Sequence, residues 1–438
     1  MWAPGNASGL PVFFFTPGGG FNSNGNIHSN GSGLVIASCY NIVIVKLNYR
    51  VGPYGFLAGR EIQRAASLNN GLKDQIKALQ WVQKHITQFG GDPDHVTIGG
   101  DSAGAASVSL LMSAYNGTLT GLFHAAAAES PSFGVMLDVN ESQNMYDGLV
   151  KRTHCTHATD TLSCLRNLSA HDLQVANKRT PLPGAPGLPL FMYSPTIDGD
   201  VVPDYSYNMF ASGRFLKLPT IIGDNLNGGT SFAPRKTNSR AQYDAFLKDQ
   251  FPKLTPVQLA RIHALYPVAG TPKFRHAGRY WRALANAYGD MRYKCPGLFL
   301  SSQLSSAATP TRPGQTWNYL WNVSDPAQMA HGYGVPHVVE FAAIWGPPYV
   351  AHGPKSYYPP HGINHNIVPL TQSYWTSFIR SYNPNTYRAD GAPEWTLWNA
   401  SAMERIVFIT NRTAVDAVAL HERTACEYLV DIGPSLAQ

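Results

Sequence analysis

A serine with small neighbours is the first candidate for chemistry in this chain of 438 residues. The segment Gly100-Asp101-Ser102-Ala103-Gly104 follows an apolar run that starts at Val96, and an alanine- and serine-rich segment comes next. This is the pattern of a strand, a sharp turn and a helix, in which the strained serine backbone pushes the side chain out at the end of the strand. Ser102 is therefore a candidate nucleophile. Because so short a motif also arises by chance, the surrounding elements must show whether Ser102 is functional.

A run of glycines, Gly18 to Gly20, follows the apolar segment Leu10 to Phe15. Backbone N–H groups without side chains beside them can converge on one point, as an oxyanion hole requires. The alternative is an exposed flexible loop. These glycines can have a catalytic role only if they lie beside Ser102.

The elements that must position these groups alternate between strands and helices. Residues Gly71 to Phe89 carry apolar side chains at the three-to-four spacing of an amphipathic helix. Alternation at short intervals predicts a mostly parallel sheet with crossover helices, and residues 241–304 form a mainly helical insertion that we expect to cap the substrate site. No repeat or linker is visible, so we predict one domain over residues 1–438. The further predicted strands are 41–48, 122–129, 218–223 and 317–323.

Composition excludes several classes of protein. Charged residues make up only 14%, and the net charge of +6 is spread without a basic run, which argues against nucleic-acid and anionic-membrane binding. No apolar stretch is long enough for a transmembrane helix. Met1-Trp2-Ala3-Pro4 does not resemble a secretory leader, so we expect that the natural start lies upstream. Eight N-x-S/T sequons nevertheless favour a secreted glycoprotein, at Asn6, Asn30, Asn116, Asn140, Asn167, Asn322, Asn399 and Asn411.

Five cysteines suit the same oxidising compartment. Cys155 and Cys164 flank a short polar loop and could form a local disulfide. Cys295 and Cys426 could close a long loop. Cys39 is then left over in an apolar segment, where we expect a buried, inert thiol.

Several segments resemble the type-B carboxylesterase family, whose members include cholinesterases and fungal lipases. They are NYRVGPYGFL, the GGGF loop, NNGLKDQIKALQWVQKHITQFGGDPDHVTIGGDSAGAASV, and a late His337-Val338-Val339-Glu340 followed by FAAIWG. Together they cover nearly the whole chain. The resemblance implies an α/β-hydrolase fold, with a mostly parallel central sheet, helices on both faces and a helical cap insertion.

The resemblance also implies roles for individual residues. Ser102 matches the nucleophile, His337 matches the general base because Glu340 stands three residues later, and Gly19, Gly20 and the N–H of Ala103 match the oxyanion hole. Asp101 and Ser130 match positions that support the catalytic residues. For Ser130 the alternative is that it only packs in the core. The cysteine pairs match those of the family. His331 does not match the general base, because Gly334 stands three residues later where the pattern has a glutamate. His361 and His365 are four residues apart, but Pro359-Pro360 and Gly362 argue against a helix and no carboxylate accompanies them, so a zinc site is not expected there.

Three departures from the family pattern matter. Pro17 stands where the family usually has His or Tyr. The position of the triad acid, normally glutamate, is occupied by Gly228, so Asp224 or Glu129 would have to substitute. On the order of a hundred residues that precede the WAP tripeptide in the family are absent, and with them the N-terminal strands; we expect an open apolar sheet edge and a truncated sequence.

The resulting prediction is a serine esterase that cleaves carboxylic esters through an acyl-enzyme, with turnover reduced by the loss of the acid. No metal or organic cofactor is needed, and the partner is a small-molecule or lipid ester. The alternative is a non-catalytic relative of the same fold that serves in adhesion or binding.

Overall fold

The computed structural model describes residues 1–24, 29–306, 315–351 and 356–438. Within them the strands form one eight-stranded sheet with the order β2-β1-β3-β4-β5-β6-β7-β8. All neighbours are parallel except β7 and β8, which form an antiparallel pair. The strands are β1 (Leu10–Thr16), β2 (Val43–Lys46), β3 (Gly91–Asp101), β4 (Ala125–Glu129), β5 (Thr220–Asn225), β6 (Thr316–Asn322), β7 (Glu404–Ile409) and β8 (Arg412–Ala417).

Helices separate the strands. The described α-helices are α1 (Ser32–Ala37), α2 (Gly52–Phe56), α3 (Arg60–Arg64), α4 (Asn70–His85), α5 (Ala103–Gly117), α6 (Val139–Arg152), α7 (Thr161–Arg166), α8 (Ala170–Ala176), α9 (Ser206–Ala211), α10 (Arg240–Gln250), α11 (Pro256–Leu265), α12 (Trp281–Gly289), α13 (Cys295–Ser306), α14 (Pro326–His331), α15 (Phe341–Trp345), α16 (Ile367–Ser381) and α17 (Leu420–Ile432). Two shorter pieces matter for the site: a 3₁₀ turn (Gly228–Ser231) and a π-helical turn (Asp290–Lys294) that joins α12 to α13.

The sheet is covered on both faces. Side chains alternate along β1, so that Val12 and Phe14 enter the core packed under α4 and α5, whereas Phe13 and Phe15 enter a second core with Trp345 of α15. A strand buried on both faces needs apolar residues at successive positions. The unbroken run of phenylalanines in β1 meets that requirement.

The predicted α/β class, the mostly parallel sheet and the helices on both faces are confirmed. The predicted helix at residues 71–89 is α4 followed by a 3₁₀ turn at Ile86–Phe89. The predicted strands are observed within a few residues, whereas β7 and β8 were not predicted. The helical insertion contains α10 to α13, and through the π-helical turn it forms a wall of the site described below.

The prediction for Cys39 is wrong. This thiol is exposed and lies in the turn between α1 and β2, where its φ is 55°. The apolar segment around it is a short helix and a turn instead of one buried strand, so the residue leaves the core.

Two disulfides hold the other cysteines. Cys155 bonds to Cys164 in α7, and Cys295 at the start of α13 bonds to Cys426 in α17. The second closes a loop with a sequence separation of 131 residues. In the part of the chain that is described, no helix is long and apolar enough to cross a bilayer.

Candidate active site

Ser102 lies in the sharp turn between β3 and α5. Its φ of 55° and ψ of −119° are a conformation that non-glycine residues rarely adopt. A Cβ atom on Gly104 would overlap the carbonyl oxygen of Thr16, and one on Gly100 would overlap the backbone of Gly104. Only glycine fits at these two positions, because β1 and the start of α5 approach the turn so closely. The predicted strand–turn–helix is therefore what the structure contains.

The glycine loop lies against this turn. A Cβ atom on Gly18 would stand 3.0 Å from Cβ of Ser102. The Gly18 N–H donates to Asp101 Oδ1 at 2.9 Å, and the Tyr49 hydroxyl donates to the Pro17 carbonyl at 3.0 Å. These two bonds hold the start of the glycine loop in place. Asp101 is buried, and desolvation raises its pKa to about 6.

The loop leaves N–H groups available beside Ser102. Gly19 and Gly20 have φ values of 121° and 62°, which a residue with a side chain rarely adopts. Within the described residues, the N–H groups of Gly19, Gly20 and Ala103 have no acceptor in the protein. Unpaired N–H groups directed at one region are what an oxyanion hole needs.

The carboxyl ends of β3, β4 and β5 bring polar residues together. The Ser102 N–H donates to the Glu129 carbonyl at 2.8 Å, and Glu129 is paired with Asp101 and with Gly223 in the sheet register. Ser130 follows with a φ of 59°, and its hydroxyl donates to Asn225 Oδ1 at 3.1 Å.

Asn225 ties the histidine-bearing loop to this sheet edge. Its Oδ1 also accepts the Val338 N–H at 2.8 Å, and its Nδ2 donates to Glu340 Oε2 at 2.7 Å. Glu340 Oε1 accepts the Tyr319 hydroxyl at 3.0 Å. Glu340 is buried, and desolvation raises its pKa to about 7. Glu340 thus acts on His337 indirectly, by holding the loop on which His337 lies.

His337 is packed between aromatic rings. Its ring centroid lies 4.2 Å from that of Tyr293 and 5.2 Å from that of Phe232. Both ring nitrogens are buried and have no hydrogen-bond partner among the described residues, so Ser102 Oγ is not hydrogen-bonded to the imidazole. Burial, with a smaller contribution from the charge of Arg292, lowers the pKa of His337 to about 3.

Gly228 faces this histidine. A Cβ atom on Gly228 would stand 3.9 Å from His337 Nδ1 and 3.6 Å from Tyr293 Cδ2. Apart from the chain neighbours of Gly228, no other atom of the described residues would lie within 4 Å. A side chain on residue 228 would therefore start beside Nδ1, the atom that a triad acid must reach.

Neither candidate substitute acid reaches His337. Asp224 Oδ2 lies against Gly297 of α13, and Oδ1 has no hydrogen-bond partner among the described residues. Desolvation raises the pKa of Asp224 to about 8. Glu129 Oε1 accepts the Trp375 Nε1–H at 3.3 Å on the other side of the sheet. Glu129 is paired with Gly223, and since successive side chains of a strand point to opposite faces, Glu129 and Asp224 lie on opposite faces of the sheet. Neither of them forms a hydrogen bond to the imidazole. The hypothesis that either of them replaces the acid by direct contact is not supported by the geometry.

The other histidines singled out in the sequence lie elsewhere. His331 ends α14 and is exposed, and the rings of His361 and His365 lie 5.7 Å apart in an exposed turn. No cluster of three or more potential metal ligands occurs in the described ranges.

Four residues of the site were missed by the sequence reasoning. Asn225 could have been noticed, since a polar residue at the end of a buried strand lies at the carboxyl edge of the sheet. Tyr319, Arg292 and Tyr293 gave no such signal, because their roles depend on contacts between distant parts of the chain.

Comparisons with known proteins identify relatives of this chain. The model of the carboxylesterase family matches residues 1–426. Secreted lipase 1 of Botryotinia fuckeliana (strain B05.10) is 33% identical over 417 residues, an alignment that covers 90% of this chain and 69% of the lipase. Lipase 1 of Geotrichum candidum is 30% identical over 415 residues, with 91% of this chain and 70% of that lipase covered.

The structure is also similar to a known one. The crystal structure of Aspergillus niger EstA superposes with a TM-score of 0.94 at 38% identity, covering 100% of this chain and 83% of that chain. A strained serine turn, an adjoining glycine loop, the α/β-hydrolase sheet and a family match over nearly the full length lead to one conclusion: this chain belongs to the carboxylesterase family.

Proposed function

We propose that this protein is a serine hydrolase of carboxylic esters that works through an acyl-enzyme. The observation that carries the proposal is the strained turn at Ser102 with the glycine loop in direct contact with it. Strain of this kind is retained where it exposes a nucleophile. The membership of the carboxylesterase family and the names of its lipase relatives support the same reaction class.

In the proposed reaction, Ser102 Oγ attacks the ester carbonyl while His337 Nε2 takes its proton. The N–H groups of Gly19, Gly20 and Ala103 stabilise the oxyanion. His337 returns the proton to the leaving alcohol, and water then repeats the sequence on the acyl-enzyme. Asp101 holds the glycine loop, while Ser130 and Glu340 hold the histidine loop through Asn225.

Turnover is expected to be slow. The imidazolium that forms during the reaction has no carboxylate beside Nδ1, and burial already disfavours its charge. Removing the acid from a serine triad lowers kcat by roughly 10⁴-fold, yet the oxyanion hole alone leaves catalysis above the uncatalysed rate.

Secretion is proposed on two grounds. Three of the relatives are named secreted lipases, and the described part of the chain has two disulfides. Seven of the eight sequon asparagines are exposed and Asn322 is partly exposed, so glycosylation is sterically open.

The test is fluorophosphonate labelling of the purified chain beside the Ser102→Ala variant, followed by p-nitrophenyl esters of varied acyl length. Labelling that disappears in the variant is expected. If the wild-type chain is not labelled, the second candidate function, that of a non-catalytic binding protein, is favoured. The observation that supports this second function is that His337 Nδ1 has no hydrogen-bond acceptor among the described residues.

A further inference from the structure

The imidazole of His337 contains a polar group that the fold leaves unsatisfied. A neutral imidazole carries one N–H donor, and both of its ring nitrogens are buried without a partner in the described part of the chain. A buried donor without an acceptor costs about 1–3 kcal/mol. An acceptor that could reach this position would therefore be stabilised there.

The backbone of Gly228 leaves room for a further atom beside Nδ1. The nearest atoms to a Cβ atom on Gly228 would be Tyr293 Cδ2 and His337 Nδ1, both at ordinary van der Waals distance. The adjacent Gly229 is different, because a Cβ atom there would overlap the carbonyl of Ala285 in α12. The room is thus confined to the side of the turn that faces the imidazole.

The charge of Arg292, which helps to lower the pKa of His337, favours an anion near the imidazole. Arg292 is buried, with 7% of its surface exposed, and its Nε donates to Ser132 Oγ at 3.0 Å. No carboxylate of the described residues forms an ion pair with it. A buried charge without a counterion is unfavourable. An anion beside His337 would reduce that cost, and it would also stabilise the imidazolium of the reaction.

We propose that the space between Gly228 and His337 binds a small free monocarboxylate, formate or acetate, which acts as a dissociable positioning group for the catalytic histidine. This inference rests on the proposed esterase function. Formate and acetate have fewer heavy atoms than a glutamate side chain, so they are the smallest carboxylates that could take the place of such a side chain on residue 228. The carboxylate accepts the Nδ1–H bond and keeps its negative charge, while the proton of Ser102 passes to Nε2 and then to the leaving alcohol.

The experiment measures initial rates of p-nitrophenyl butyrate hydrolysis by the full chain with increasing sodium formate, at ionic strength held constant with sodium chloride. We expect a saturable increase of at least about tenfold, a part of the roughly 10⁴-fold that a triad acid supplies. Pivalate, which is bulkier, should give no increase. The matched variant Gly228→Glu fills the space covalently and should not respond to formate.

A second readout covers the case in which Gly228→Glu does not fold. The rate of fluorophosphonate labelling of Ser102 in the wild-type chain should rise with formate and not with chloride. A labelled wild-type chain whose hydrolysis and labelling rates are both unchanged by formate would overturn the carboxylate site and leave the esterase function standing. A chain that is never labelled at Ser102 would refute the esterase function, and the carboxylate proposal with it.

Discussion

Gly228→Glu should convert this protein into a faster esterase. The new side chain would start 3.9 Å from His337 Nδ1, in a direction where only the Tyr293 ring is also within 4 Å. A complete triad acid contributes roughly 10⁴-fold in kcat, which is about 5.5 kcal/mol of transition-state stabilisation at 1.36 kcal/mol for each factor of ten. Because the surrounding residues have not adjusted to a glutamate, we expect a gain of roughly 10²- to 10⁴-fold.

The pH dependence of ester hydrolysis should also differ between the wild-type chain and the Gly228→Glu variant. Burial lowers the pKa of His337 to about 3, so the base of the wild-type chain is neutral throughout the neutral range and its rate should not fall between pH 8 and pH 5. A carboxylate beside Nδ1 favours the charged imidazole and raises this pKa. The variant should therefore lose activity as the pH falls through the raised value.

The matched control is Gly228→Gln. An amide oxygen can accept the Nδ1–H bond and orient the ring, but it carries no charge to stabilise the imidazolium. The assay is kcat for p-nitrophenyl butyrate, with thermal unfolding and fluorophosphonate labelling to show that each variant is folded. The reasoning is refuted if the folded, labelled glutamate variant is no faster than the glutamine variant.

Three further outcomes are expected. Asp224→Asn should leave ester turnover unchanged; a drop in turnover would instead make Asp224 the triad acid. Because the pKa of Asp224 is raised from 3.8 to about 8, the wild-type chain loses stability as the pH rises between those values. In urea unfolding the variant should therefore be more stable than the wild-type chain at pH 9 and equally stable below pH 4. Ser102→Gly should be more stable than Ser102→Ala by roughly 1–2 kcal/mol, because only glycine adopts φ 55° and ψ −119° without strain; equal midpoints of denaturation would argue against a strained turn. Replacing both Cys295 and Cys426 by serine should lower the free energy of unfolding by about 5 kcal/mol, because this disulfide closes a long loop. Replacing Cys155 and Cys164 should lower it by about 2.6 kcal/mol, because that loop is short. Similar losses for the two pairs would contradict the loop-entropy argument.

Local features of the chain were predictable from the sequence because they depend on neighbouring residues. The turn at Ser102 needs small residues within two positions, and the pattern Gly100-x-Ser102-x-Gly104 shows them directly. The fold class follows in the same way from apolar runs and from helical spacing. The absence of an acid at Gly228 was also visible, since it lies at a fixed offset within a motif that resembles the family pattern.

The tertiary structure decided what surrounds the imidazole of His337. The contact with Gly228 joins residues that are distant in the sequence, and the Tyr293 ring comes from a π-helical turn that no periodicity indicates. The directions of Asp224 and Glu129 depend on which face of the sheet each side chain enters at the end of its strand. Sequence proximity suggested Asp224 and the end of the preceding predicted strand suggested Glu129, whereas the packed structure leaves Nδ1 of the histidine without a partner among the described residues. A hydrogen bond depends on distance and direction in space, and these are set only when β4, β5, the helical insertion and the histidine loop pack together.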